Sequence, residues 1–594
     1  MRGSRWVKTL GVLGSMAVFS AAAPLSTSPV ADAVMQGDRD AVLALIEQGA
    51  DVNQAQGDGM TALHWASEHG DAELVEMLLE AGADVRARTR LGAYEPLHLA
   101  SRKGAAHTVG LLLEAGSDPN APTETGAVTP LHFAAASGNM ESVASLLDHG
   151  AEVNVHETTW DQTPLIFAAA RDNAAIIDLL IQHGADMNAA TRVEDIPTRE
   201  AVDQAGRQAR NEMLRKFREE DGAGDDWRPS PAQVQAAIKA AHGVQRAMAD
   251  EEGLEGEEEA GEEEILGYAG LVGAKGGLTA LHHAVREGNA EAAKTLIASG
   301  ADINRPAGDG TSPILLATLN GHFDLATELL EHGADPTLAS EAGATPLYAA
   351  INLQYQPRSR YPQPREHELQ ETEYLELMEA LLEAGADPNA RLTKHLWYMS
   401  FTFDVLRVDT GGATPFWRAA YATDVEAMKL LAAYGGDPHV PTLKPAGRGG
   451  GGYGAQDDTD HSGLEPIPDG GPGVYAIHAA SGVGYGEGYA ANAHRHVPDG
   501  WVPAVRFLIE EMGVDVNARD HNGYNALHHA AARGDVDLIR YLVEQGADVT
   551  ALSRSGQTTA DMANSPVQRV PPFPRAVALL ESLGSHNNDN CVSC

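Results

Sequence analysis

Apolar residues in this chain recur in short blocks at helical spacing, separated by glycines and small polar clusters. Between residues 60 and 92 the pattern is complete. Leu63 and Ala66 fall on one face of a short segment, and Leu74, Val75, Leu78 and Leu79 form an apolar stripe on a second. Thr61 precedes the first segment, where its hydroxyl can accept from a free backbone N–H. Proline often takes the next place (Pro130, Pro164, Pro346), with φ preset for a first helical position. Gly70 and Gly82 stand where each segment must stop, because glycine enters the left-handed conformation at little cost. The pattern predicts two helices followed by a turn carrying Asp84. Ala66 and Ser67 are small enough to let neighbouring helices approach closely.

The block is one of many. Thr61-Ala62-Leu63-His64 returns as Thr129-Pro130-Leu131-His132, Thr163-Pro164-Leu165, Thr279-Ala280-Leu281-His282, Thr345-Pro346-Leu347 and Asn525-Ala526-Leu527-His528. A second phrase recurs as Gly49-Ala50-Asp51-Val52-Asn53, Gly184-Ala185-Asp186-Met187-Asn188 and Gly300-Ala301-Asp302-Ile303-Asn304. Where nothing interrupts, the first phrase repeats every 33 or 34 residues, with starts near 28, 60, 94, 128, 162, 278, 311, 344, 413, 474, 524 and 557. A period of that length denotes stacked units, none of which can bury its apolar face alone.

The paired phrases resemble the ankyrin repeat family over most of the chain. The resemblance implies an all-α ankyrin repeat solenoid of about ten to twelve helix-turn-helix units with three long insertions. It implies projecting turn fingers and a concave face that binds partners. It also implies that His64, His98, His132, His282, His478 and His528 join neighbouring units by hydrogen bonds. Their regular spacing makes a ladder, whereas metal ligands must converge on one point.

This gives a first run of repeats over 24–194 and a second over 277–583. The insertion 195–276 contains helix-like stretches Arg199 to Arg218 and Ala232 to Ala249. An acidic run from Asp250 to Glu264 follows, with ten carboxylates and no basic residue, which reads as a solvated loop. Such a run is also suited to fold back on an arginine-lined groove. Further insertions lie near 352–372, near 392–411 with Trp397, Tyr398, Phe401 and Phe403, and at 441–473, where glycine dominates. Residues 584–594 form a polar tail.

The formal net charge of −42 opposes binding to nucleic acid or anionic lipid. Arg2, Arg5 and Lys8 precede an apolar run from Leu10 to Ala23, shorter than a membrane span and ending in small residues. Residues 1–23 are therefore expected to be a cleaved signal peptide. The expectation is an exported, bacterial-type ankyrin repeat protein, periplasmic or secreted, with no membrane span after signal removal. The two cysteines, Cys591 and Cys594, close the chain as Cys-Val-Ser-Cys. A local disulfide or idle dithiol is the plain reading, and a redox or soft-metal site is the alternative.

Asp458, Asp460, Ser462, Gly463 and Asp469 match the ligand spacing of a calcium loop, although Pro466 and Pro468 fall inside it. His494 and His496, near His478 and His461 in sequence, invite a transition-metal reading against the plainer one of unliganded loop histidines. There is no Gly-x-Ser-x-Gly elbow, His-Glu-x-x-His pair or phosphate loop. Carrying the groove over by position selects Met60, Glu68 and His69; Tyr94, Arg102 and Lys103; Trp160 and Arg171; Arg286 and Glu287; Tyr421; and Arg533. Arginine and aromatic residues are favoured interface anchors. The sequence thus points to a non-catalytic protein-binding scaffold without a resident cofactor, whose partner it does not identify. The runner-up is a metal- or redox-linked periplasmic accessory protein using the terminal cysteines or the His/Asp-rich insertion.

Overall fold

A computed structural model describes residues 28–222, 227–251, 268–356, 365–396, 408–445, 460–485, 494–565 and 571–588. The leader, nearly all of the acidic run, Trp397, Tyr398, Phe401, Phe403, Asp458, Cys591 and Cys594 lie outside these residues. Residues up to Glu152 form one compact unit and those from Val153 onward a second.

Among the described residues, twelve helix pairs account for most of the regular structure. In the first unit they are Pro29–Gln36 with Arg39–Glu47 (repeat 1), Ala62–His69 with Ala72–Glu80 (repeat 2), Pro96–Lys103 with Ala106–Glu114 (repeat 3) and Pro130–Ser137 with Met140–Asp148 (repeat 4). The second unit begins with Pro164–Ala169 and Ala174–Gln182 (repeat 5), Ala280–Glu287 and Ala290–Ala298 (repeat 6), and Pro313–Leu319 and Phe323–Glu331 (repeat 7). Repeat 8 is Pro346–Gln354 with Tyr374–Glu383, and repeat 9 is Pro415–Tyr421 with Val425–Ala433. Repeat 10 pairs Ala476–Ser481 with Trp501–Arg506, which runs on into a π-helical turn, Phe507–Glu511. Ala526–Ala532 with Val536–Glu544 (repeat 11) and Thr559–Ala563 with Pro574–Ser582 (repeat 12) complete the series.

Most first helices are started by the residue the phrase supplies. Thr61, Thr163, Thr279, Thr345 and Thr414 accept from the N–H three residues on, and Ser312 and Asn525 do the same. The leucine of the phrase is then driven inward: Leu63, Leu97, Leu131, Leu165, Leu281, Leu347 and Leu527 are fully or almost fully buried. Truncating such a side chain to alanine costs about 2–5 kcal/mol.

Polar groups join the repeats as regularly as leucines fill them. Asn53 donates to Gly82 O at 3.0 Å and accepts from Asp84 N at 2.7 Å. Asn120, Asn154, Asn304 and Asn517 make the same two bonds to Gly150 and Glu152, Gly184 and Asp186, Gly333 and Asp335, and Gly546 and Asp548. One amide thus satisfies a free carbonyl at the end of the next second helix and the N–H that follows it.

The second unit stacks continuously through its insertions. Across the longest, Asn289 Nδ2 donates to Ala169 O at 2.9 Å, and Ala292 N donates to Asp172 Oδ1 at 2.8 Å. The chain leaves repeat 5 and returns to repeat 6 at one finger tip, closed by the bridge Ala190↔Thr279 and the short antiparallel pair Glu194↔Lys275. Gly276 is required there: its φ is +89°, and a Cβ would lie 2.0 Å from Arg192 O. Beyond this root, Ile196–Glu220 and Pro231–Glu251 pack together as a helical hairpin. Asn389 likewise donates to Gly435 O at 2.9 Å and accepts from Asp437 N at 2.8 Å, reaching past the insertion at 392–411.

Two predictions follow from this bonding. Asn304→Ala removes both bonds of one rung and is expected to lower unfolding free energy by about 1–3 kcal/mol in urea denaturation. Joining Glu194 to Lys275 through an Asn-Gly turn, which deletes 195–274, is expected to leave the cooperative transition at the wild-type denaturant midpoint. A large fall in that midpoint would show that the hairpin supports the stack.

Candidate functional site

The first helices and the fingers before them build the candidate site. In the first unit, Asp58, Met60, Trp65, Glu68, Thr89, Leu91, Tyr94, Leu99 and Arg102 line a cleft of about 340 Å³. Trp65 and Leu99 come from first helices, while Thr89, Leu91 and Tyr94 come from the finger of repeat 3. That finger hangs on its neighbour through Arg90 N to Asp58 O at 2.8 Å, and it is closed by Thr89 N to Tyr94 O at 3.0 Å. Arg102 reaches Glu68 at 2.7 Å, spanning the cleft's rim between repeats 2 and 3.

Of the residues selected by position, Met60, Glu68, Tyr94 and Arg102 converge on this cleft. His69 and Lys103 are exposed at the ends of the same two helices. Trp65, Leu91, Leu99, Asp58 and Thr89 were not foreseen. Trp65 shares its slot with Phe133 and Phe167, directly after the buried fourth position of the phrase, which was the available signal. In the second unit, Trp160 is 42% exposed at a finger tip, with Lys275 Nζ 5.4 Å from its ring centroid. Arg171 is exposed at the end of the repeat 5 helix, and Arg286 pairs with Glu287 at 2.9 Å.

Tyr421 and Arg533 do not line an open groove. Tyr421 is buried beneath His494, whose ring stacks on it at 4.3 Å and whose Nε2 bonds to Tyr421 O at 3.0 Å. The segment carrying His494 continues across repeat 9 through Val497 N to Ala422 O at 2.9 Å. Arg533 lies 3.4 Å from the Trp501 ring centroid, and burial lowers its pKa to about 10. The inserted stretch between the two helices of repeat 10 covers the very positions that would face a partner.

The metal readings also change. Asp460 accepts from Ser462 N and Oγ and pairs with Arg554, while Asp469 pairs with Lys444 at 3.1 Å. Two separate cations hold the two carboxylates; Asp458 is outside the described residues. His494 and His496 are committed to Tyr421 O and Val497 O. Among the described residues, no three His, Cys, Asp or Glu side chains gather around one point.

The histidine ladder is visible in detail. His64 Nδ1 accepts from Thr61 N at 3.2 Å, which leaves the proton on Nε2 to donate to Tyr94 O at 2.9 Å in the next repeat. His98 Nε2 reaches Ala121 O at 2.8 Å, His282 reaches Thr311 O at 3.3 Å, His478 reaches Ala518 O at 2.9 Å and His528 reaches Gln557 O at 3.3 Å. In repeat 9 the slot holds Trp417, whose indole N–H donates to Val474 O at 2.9 Å across the 441–473 insertion. Both rings present an N–H at a fixed distance from the helix, so the rung survives the exchange.

The architecture agrees with the sequence comparisons. Family descriptions "Ankyrin repeats (3 copies)", at 30–123, 97–191 and 281–360, and "Ankyrin repeats (many copies)", at 489–543 and 527–565, together match more than half of the chain. The chain belongs to the ankyrin repeat family, and its fold is an all-α repeat solenoid. Similar proteins include protein phosphatase 1 regulatory subunit 27 of Mus musculus, 41% identical over 70 residues (12% of this chain, 46% of that protein). The BCL-6 corepressor of Homo sapiens is 48% identical over 50 residues, and alpha-latroinsectotoxin-Lt1a of Latrodectus tredecimguttatus is 51% identical over 47. Each of those alignments covers 8% of this chain and 3% of the relative, so the chain spans a small part of their length. Ankyrin repeats imply protein partners, and no helix among the described residues is long and apolar enough to cross a membrane.

Burial in the stack holds the ladder histidines neutral: the pKa falls to about 4 at His98, His282 and His478. The unfolded chain therefore binds more protons than the folded one below the ordinary histidine value near 6.5. The stability these rings contribute is complete above that value and is lost as pH falls from 6.5 towards 4. His98→Gln is expected to reduce the slope of unfolding free energy against pH in that window by up to about 1.4 kcal/mol per pH unit. An unchanged slope in urea titrations would contradict the neutral-ring assignment.

Proposed function

We propose that this protein is a non-catalytic protein-interaction scaffold that works in an exported compartment, periplasmic or extracellular. The first clause rests on one observation. In repeats 2, 3 and 4 of the first unit, and in repeats 5, 6 and 7 of the second, the last turn of the first helix is open to solvent: Glu68, Arg102, Ala136, Arg171, Glu287 and Asn320 are each at least partly exposed. In repeat 9 that turn is closed, as Ala420, Tyr421 and Ala422 are buried; in repeat 8 it is partly closed, as Ile351 and Asn352 are buried while Leu353 and Gln354 stay partly exposed. A rigid backbone with open positions at a fixed spacing presents side chains to a partner with little entropy left to lose. The compartment is supported by the basic start, short apolar run and small residues of 1–23.

The test uses the full chain immobilised as bait for extracts of its host. Trp65→Ala with Arg102→Ala is expected to weaken capture of the co-eluting protein about ten-fold. Glu80→Ala with Glu114→Ala, on the second helices, is expected to leave it unchanged. Capture that responds only to the second pair would contradict the open-position reading. For the compartment, N-terminal sequencing of the exported form is expected to find a start at Pro24; a protein retaining Met1 in the cytosolic fraction would reject export.

A further inference from the structure

The repeat 3 region breaks the charge rule of the chain. Acidic residues outnumber basic ones 84 to 42 overall. Between residues 85 and 113, however, Arg86, Arg88, Arg90, Arg102 and Lys103 face a single carboxylate, Glu95, which is buried. Arg88 is bound to Glu95 at 2.9 Å and Arg102 to Glu68 at 2.7 Å, while Arg86 donates to Gly116 O at 3.1 Å. Among the described residues, Arg90 and Lys103 have no side-chain hydrogen bond or ion pair, and both are exposed. Arg90 adjoins Leu91 at the finger tip and Lys103 adjoins Arg102 at the helix end, so each cation is next in sequence to a residue that lines the cleft.

The cleft between them is apolar where it matters. Trp65, Tyr94 and Leu99 line it, and Leu91 is 81% exposed at its edge. Of its own carboxylates, Glu68 holds Arg102, while Asp58 is exposed and accepts from Met60 N at 3.0 Å without an ion pair among the described residues. The surface therefore offers an apolar slot beside two cations without an ion pair, against one such carboxylate, Asp58, within a strongly anionic chain. A basic partner would meet both cations and find Asp58 alone to pair with, since Glu68 already holds Arg102. A nucleic acid would have to approach a chain of net charge −42.

We propose that the occupant is an acidic segment of a partner protein that inserts one leucine-, phenylalanine- or tryptophan-type side chain between Trp65 and Leu91 while its carboxylates reach Arg90 and Lys103. The proposal rests on the scaffold reading and names the chemistry of its partner. Charges at the rim steer and orient the encounter, and the apolar side chain supplies the anchor.

The experiment selects a random peptide display library on the full chain and on the exposed-site variant R90E/L91S/K103E, with helix content checked by circular dichroism. The wild-type chain is expected to enrich peptides with Asp or Glu beside a large apolar residue. Fluorescence anisotropy of the enriched peptides should show binding about ten-fold weaker to the variant, and weaker to the wild type as salt is raised. Enrichment of basic or neutral peptides, or of acidic peptides indifferent to the three substitutions, overturns the proposal and leaves the scaffold reading standing. No enrichment of any peptide class overturns both.

Discussion

A helix pair of some thirty residues cannot satisfy itself. Its leucines need the next pair to cover them, and the free carbonyls and N–H groups at its ends need donors and acceptors that it does not contain. An asparagine in half of the turns answers the second need. Asn53, Asn154, Asn304, Asn389 and Asn517 each give an N–H to one neighbour atom and take one from another. Where the first helix carries the histidine or Trp417, its ring adds a second, more buried rung. Removing such a ring leaves a carbonyl of the next repeat without its partner, which is costlier than the bond's net worth suggests. The bonding fixes the spacing of successive repeats within each unit, and the exposed positions inherit that spacing.

The same bonding explains how the second unit carries long insertions. An excursion that starts and returns at a finger tip, between Thr191 and Leu278 or Thr442 and Val474, touches neither rung. Excursions between the two helices of repeats 8 and 10 have another consequence. The first places Tyr355 and Tyr374 on Asp424 at 2.9 and 2.7 Å, with Arg418 bound to Tyr355 O at 2.7 Å. The second lays His494 and Trp501 over Tyr421 and Arg533. Positions that would face a partner in an uninterrupted repeat become part of the core.

Much of this was legible in the residues. The Thr-x-Leu-His phrase marks cap, core leucine and inter-repeat ring in four positions, and period and helix order follow from its recurrence. Met60, Glu68, Tyr94 and Arg102 could be placed because their surroundings are themselves periodic. Tyr421 and Arg533 occupy equivalent slots, yet what covers them comes from a segment with no period, and no pattern announces where such a segment lies. The ion pairs of Asp460 and Asp469 were not legible either: Arg554, about ninety residues away in sequence, holds one carboxylate and Lys444 the other. Trp417 shows that a slot defined by geometry tolerates a change of residue type that a motif does not.

The central claim is that partner contact falls on the open first-helix positions and fingers and spares those closed by the chain's own insertions. Hydrogen–deuterium exchange of the full chain, alone and saturated with its co-purified partner, addresses this directly. Added protection is expected over residues 58–103, and none over 415–421 or 494–501, which are already enclosed. Protection confined to the second helices, or to the enclosed segments, would contradict the account.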